Sequence, residues 1–136
     1  IDSKTSSDPI LADDLMRVDA FYTQHIKNQI DYDELCEEYK EYKDLVDNVV
    51  ELMVSVLTSK NEFMLIAKEQ RPVALVKSKF LTLKSKHISY VIDMLIKTGS
   101  KISSIRQYLL AMLYNARSTY DAFLTAEVSH NMRNAI

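Results

Sequence analysis

Three histidines, one cysteine and nineteen carboxylates are the groups in this sequence whose types suit catalysis or metal binding, and their spacing suits neither. His25, His87 and His130 lie far apart, with no HExxH and no i, i+4 pair to set two ligands on one helical face. Surface or capping roles are expected of all three. Cys36 stands among Asp31, Asp33, Glu34, Glu37 and Glu38, whose negative field disfavours the thiolate that a nucleophile requires. Asp13-Asp14 and Glu37-Glu38 are neighbours in sequence, so on a helix they point in different directions and cannot work on one bond. A phosphate-cradling loop needs several glycines for close backbone approach, and the chain has one. The expectation is a protein without catalytic residues, metal or cofactor, and not an enzyme.

Residues suited to binding are easier to find. Residues 1–67 carry six basic and fifteen acidic side chains, a balance of −9, whereas residues 68–106 carry nine basic against two acidic, a balance of +7. Such polarity suits an acidic partner, a nucleic-acid backbone, or attraction between the two halves. Inside the basic part, "KSKFLTLKSKH" (residues 77–87) sets Lys77, Lys79, Lys84, Lys86 and His87 around Phe80, Leu81 and Leu83. Lysines at a helix end and the following turn can grip a phosphate backbone, a sequence-independent and salt-sensitive contact. Equally, Lys77 and Lys79 can solvate a helix whose apolar residues are core. Lys101 opens a second stretch, residues 101–123, in which Ile102, Ile105, Leu109, Met112, Leu113 and Ala116 form a core-facing stripe. Arg106, Leu110, Tyr114 and Arg117 form another stripe. Either Tyr114 stacks on a base or anchors a partner with the arginines flanking, or Leu110 and Tyr114 pack against a last helix. Core packing is the favoured reading for those two.

The elements that must position these groups are helical. One glycine and two prolines disfavour a turn-rich β-sandwich. Residues 1–9 read as a polar segment, disordered or a linker, and residues 10–136 as one domain. Leu11, Leu15, Val18, Tyr22, Ile26 and Ile30 recur at helical spacing, and "DYDELCEEYKEY" restarts a helix with Asp31 or Asp33 at its N-cap. Residues 44–57 are apolar apart from the stripe Asp44, Asp47, Asn48, Glu51 and Ser55, so this helix belongs in the centre. "EFMLIA" (residues 62–67) suits a short strand or extended loop, and a strand there needs a hairpin or a second chain for a partner. Pro72 suits the first turn of the next helix. Ser85 is the expected cap of a helix burying Ile88, Val91, Ile92 and Leu95, and Gly99 the left-handed residue that ends it. Ser100 or Ser103 then caps the helix of residues 101–123, and Asn115–Thr119 is expected to interrupt it before a final helix that Ser118 or Thr119 caps. The fold expected is mainly α, a bundle of five to seven helices with a possible short β element near residues 62–67. A lone cysteine excludes an internal disulfide and points to the reducing cytoplasm, and no apolar run is long enough for a membrane span.

Residues 75–132 resemble the C-terminal domain of the RepA-N-type replication initiators of plasmids and conjugative elements in Gram-positive bacteria. The resemblance lies in "LVKSKFLTL", "HISYVIDML", "IRQYLLAMLYNA" followed by Thr119, and "AEVSHNM", with a weaker match through "DYDEL" and "VDNVVELMV" that extends it to residues 30–132. It implies one module of a longer initiator, whose origin-recognising winged-helix domain has no counterpart here. It also implies likeness to DnaD-type primosome proteins, where Tyr108 matches the first aromatic of a Tyr-x-x-x-Ile-Leu-x-x-Trp pattern loosely and Tyr114 stands near its tryptophan. The implied role is non-catalytic coupling to a host helicase or helicase loader. DNA binding by residues 68–106 and self-association of the initiator are the alternatives. The contact residues expected are Lys77, Lys79, Lys84, Lys86, Lys101, Arg106, Tyr114 and Arg117.

Overall fold

The computed structural model describes residues 9–134, six α-helices and one β-hairpin around a single core. Residues 1–8 of the expected linker lie outside the described residues, and Pro9 already opens α1 (Pro9–Gln29). Only the second half of α1 reaches the core. Ile26 and Ile30 are fully buried, whereas Leu11, Leu15 and Val18 of the same stripe are exposed. Asp31 turns the chain through a left-handed conformation (φ 54°) into α2 (Tyr32–Glu38) and makes no side-chain cap. Its short polar side chain tolerates that geometry better than most.

A 3₁₀ turn at Lys40–Tyr42 leads into α3 (Lys43–Leu57), the central helix expected from its pattern, with eight buried apolar residues and the polar stripe outward. Tyr39, at the end of α2, is buried and ties α2 to α5 (Ser85–Thr98). Its hydroxyl donates to Asp93 Oδ1 at 2.6 Å, with Ser89 Oγ 2.7 Å away.

The strand at residues 62–67 exists and finds its partner within the chain. β1 (Phe63–Ile66) pairs antiparallel with β2 (Glu69–Pro72), Phe63 opposite Pro72 and Ile66 opposite Glu69. Ala67 and Lys68 both have positive φ, 51° and 69°, as a two-residue primed turn requires. The Val73 N–H donates to the Glu62 carbonyl at 2.9 Å and closes the neck of the hairpin. Pro72 precedes α4 (Val73–Phe80) as its N-cap, and Val73, Val76 and Phe80 are buried. The side-chain amide of Gln29 donates to the carbonyls of Phe80 (2.9 Å) and Leu83 (2.7 Å), latching the end of α1 to the next turn.

Four expectations about helix ends and breaks need correction. Lys84, not Ser85, is the N-cap of α5 (Ser85–Thr98), and its N–H is satisfied by Nδ1 of His87 at 2.9 Å. Gly99 is not left-handed: at φ −54° and ψ −37° it continues right-handed into a 3₁₀ turn, Gly99–Lys101. The helix that follows, α6 (Ile105–Asn134), starts after Ser104 rather than Ser100 or Ser103 and is unbroken for 30 residues. Asn115–Thr119 does not interrupt it. These polar residues cost only tenths of a kcal/mol each in helix propensity, and Asn115 is absorbed by bonding its side-chain amide to the Ala111 carbonyl at 3.0 Å. Leu113, Tyr114 and Ala116 are buried meanwhile, so packing holds the helix through the polar run. Leu110 and Tyr114 are buried core residues as favoured, but not against a separate last helix, since α6 runs on unbroken; Ile105, expected in the core stripe, is exposed. Among the described residues no helix is long and apolar enough to cross a membrane.

Candidate binding face where α4, α5 and α6 meet

The turn between α4 and α5 lies against the middle of α6, and this junction gathers the basic residues. Lys79, Tyr114 and Arg117 line one cleft of about 450 Å³ with Ser78, Ser118 and Asp121. Tyr114 is the floor, 9% exposed. Lys79 Nζ lies 5.0 Å from its ring centroid and the Arg71 guanidinium, carried in by the hairpin, 5.6 Å. Both are cation–π distances. With its ring so covered, Tyr114 has no face free to stack on a base.

A second cleft of about 330 Å³ lies between α5 and α6, lined by Lys86, Tyr90, Asp93, Lys97, Tyr120 and Phe123 among others. Lys86 Nζ is 5.4 Å from the Tyr120 ring. Tyr90 meets Tyr120 edge-on at 6.0 Å and Phe123 at 5.7 Å. His87 sits between the two clefts, 4% exposed and edge-on to Tyr120 at 5.4 Å. Burial chiefly, then the positive charges of Lys86, Arg117 and Lys84, hold its pKa below the ordinary value, with Asp121 opposing. These charges share one neighbourhood. Among the described residues, no carboxylate lies within 4 Å of the amino or guanidinium groups of Lys79, Lys84, Lys86, Lys97 or Arg117. Their charge is therefore not neutralised by a carboxylate, and Lys84, Lys86, Lys97 and Arg117 are exposed to solvent while Lys79 is half-buried over Tyr114.

Five of the eight expected contact residues meet here: Lys79, Lys84, Lys86, Tyr114 and Arg117. Lys77 does not join them, since two residues along α4 turn it about 200° from Lys79. Lys101 lies in the turn beyond the far end of α5. Arg106 is on another side of the molecule, where it lines clefts with Glu51 of α3 and with Met64 and Leu65 of the hairpin.

The family of this fold follows from the sequence pattern it carries over residues 12–135, nearly its whole length. The chain belongs to DUF6017, a family of unknown function. No curated protein and no solved structure matches it. The whole cationic junction lies within the DUF6017 match.

Lys97, Arg71, Tyr90, Tyr120 and Phe123 of this DUF6017 face were not among the expected contact residues. Four of them carried a signal. Lys86, Tyr90, Asp93 and Lys97 recur at i, i+4, i+7 and i+11, a single line along α5, and Tyr120 and Phe123 are an i, i+3 pair. Arg71 reaches the site only through the hairpin fold. A larger cleft, about 560 Å³, lies elsewhere, at the turn between α1 and α2, beside Lys27, Asp31 and Tyr32. There the Tyr32 phenol, bonded to the Asp47 carboxylate, is pushed up to about 12 by that bond first and by burial second, with Lys43 opposing. Such a phenol keeps its proton at neutral pH and offers no base. Among the described residues no three His, Cys, Asp or Glu side chains converge to hold a metal ion.

Proposed function

We propose that this DUF6017 domain is a non-catalytic module of a RepA-N-type replication initiator, acting in the cytoplasm to couple the initiator to a host helicase or helicase loader. The sequence resemblance supplies the replication context. The observation that carries the mode of action is that the cationic junction borders directly on apolar surface. Phe123, 46% exposed, lines the same cleft as Tyr120, Lys86 and Lys97, and exposed Leu124 and Val128 follow Tyr120 along α6, about 40° and 80° round the helix. A phosphate backbone has no use for an aromatic and aliphatic strip, whereas a protein partner with acidic and apolar side chains uses both.

Capture of host replication proteins on the immobilised chain tests this. A helicase or loader should be retained by the wild-type protein and lost on Lys86→Glu with Phe123→Asp, both at exposed positions. Repeated failure to retain any replication protein overturns it. A second reading, direct binding of a DNA backbone, is favoured by Lys79, Lys84, Lys86 and Arg117, which among the described residues have no carboxylate within 4 Å. Four phosphate contacts give a log–log salt slope of about −3.6 on duplex DNA, the same for every sequence. Absence of binding at low salt removes that reading.

A further inference from the structure

Two helices of this chain run past the core with their core-facing stripes intact. On α1, Leu11, Leu15, Val18 and Tyr22 stand in line with buried Ile26, yet Leu11, Leu15 and Val18 are 38%, 51% and 45% exposed. At 100° per residue, Asp14 and Asp19 border this stripe about 70° to either side. Arg17 is held mainly by Asp13, at 2.7 Å against 3.6 Å to Asp14, on the opposite face. The outlying half of α1 is thus an apolar strip with acidic edges.

The trough between α5 and α6 is its complement. Tyr90, Tyr120 and Phe123 form an aromatic lining, and Lys86 and Lys97 stand at its two ends. The one carboxylate there, Asp93, is engaged from behind by the Tyr39 hydroxyl at 2.6 Å. Among the described residues α1 packs mainly on α3 and α2, and α6 mainly on α5. Apolar strips of this kind, left in water, forgo about 25 cal/mol for every Å² that a partner would bury.

We propose that the outlying half of α1, residues 11–21, docks across the α5–α6 trough of a second copy of this chain, so that Asp14 and Asp19, on opposite edges of its strip, face Lys86 and Lys97 at the trough's two ends. Reciprocal docking closes a two-fold dimer, the self-complementary arrangement in which each copy gives and receives the same contact. A helix laid by its apolar face into a groove is an established mode of recognition. The proposal rests on the reading of this face as a protein-docking surface and adds regulation to it. Since the second copy and the host protein occupy one trough, the dimer holds the site closed until a partner displaces α1.

Sedimentation velocity of the 136-residue chain, from about 1 to 200 µM, tests it by mass action. The sedimentation coefficient should rise with concentration. Lys86→Glu with Lys97→Glu should weaken the dimer about tenfold or more by setting like charges together. Adding Asp14→Lys with Asp19→Lys to that variant should restore it, an outcome that misfolding cannot imitate. Leu15→Ser with Val18→Ser, both at exposed positions of the strip, should give a monomer with an unchanged helical spectrum. A monomer at every concentration, or a dimer indifferent to both charge pairs, overturns the proposal. A wild-type monomer that still captures a host replication protein sinks self-docking alone. A charge-dependent dimer that captures none sinks host coupling alone.

Discussion

His87→Phe isolates a cap that also reports pH. The His87 ring is 4% exposed, packs edge-on against Tyr120, and accepts the Lys84 N–H through Nδ1 at 2.9 Å. Phenylalanine keeps the ring and its packing and removes the acceptor. The lost cap should cost about 1–2 kcal/mol, within the range for N-caps and for an unsatisfied donor. At this chain length each kcal/mol lowers the melting temperature by about 3–5 °C, a total of about 3–10 °C. The second signature follows from linkage. Burial and the surrounding cations depress the folded-state pKa of His87, so the unfolded chain takes up a proton first as pH falls through the ordinary value of 6.5. The stability contributed is complete above that pH and is lost as pH falls from it toward the folded value, with a slope of at most about 1.4 kcal/mol per unit for one proton. Urea titrations at about pH 7.5, 6.5 and 5.5 should show the wild type losing this increment and the variant lacking it. Carboxylate effects at lower pH are common to both proteins and cancel in the difference. Equal stability of the two at about pH 7.5, or curves that stay parallel down to about pH 5.5, would refute the reasoning.

Four further substitutions test the backbone and the core. Gly99→Ala should stabilise by about 0.4–1 kcal/mol by denaturant titration, because Gly99 is right-handed and an added Cβ meets nothing within 4 Å. Lys68→Gly should stabilise by about 0.5–1 kcal/mol in the same assay, relief of a positive φ exceeding glycine's entropic cost. Thr119→Pro should destabilise by about 3 kcal/mol or more if α6 is continuous, whereas the start of a separate helix would accept it. Tyr39→Phe should cost about 1–2 kcal/mol by thermal melting through loss of the bonds to Asp93 and Ser89.

Periodicity alone locates α3, the buried face of α5 and the stripe of α1, because burial acts on repeating positions and leaves a repeating trace. Residues 62–67 remained open between strand and loop, since a four-residue strand is defined by its partner, and the partner "EQRP" has no apolar alternation to announce it. Helix ends depart from expectation where a residue has one common use and the fold employs another. Gly99 is permitted a left-handed cap but not compelled into one, and the polar run at Asn115–Thr119 is outweighed by the packing of Tyr114 and Ala116. Burial of Leu11, Leu15 and Val18 could not be judged from their spacing, because a stripe states which way a helix faces and not where its neighbours stop. In the binding face, Lys79, Lys84, Lys86, Tyr114 and Arg117 follow from charge and helical phase. Arg106 shares a stripe with Tyr114 but stands two turns away, beside the hairpin and α3.

The unbroken α6 has a mechanical consequence. At 1.5 Å per residue its 30 residues span about 45 Å, and about 27 Å of that lies beyond Ala116, the last fully buried position. The helix is a lever whose fulcrum is the cationic junction. A tilt of about 5° there moves the tip by about 2 Å, and a load applied near Met132 returns to Tyr114 as torque. Arg71 rests on that same ring, so the hairpin is the part of the fold placed to register the strain. Spin labels at Lys68 and Val128 would measure it as a change in separation on partner binding, and an unchanged separation would show the arm to be rigidly fixed.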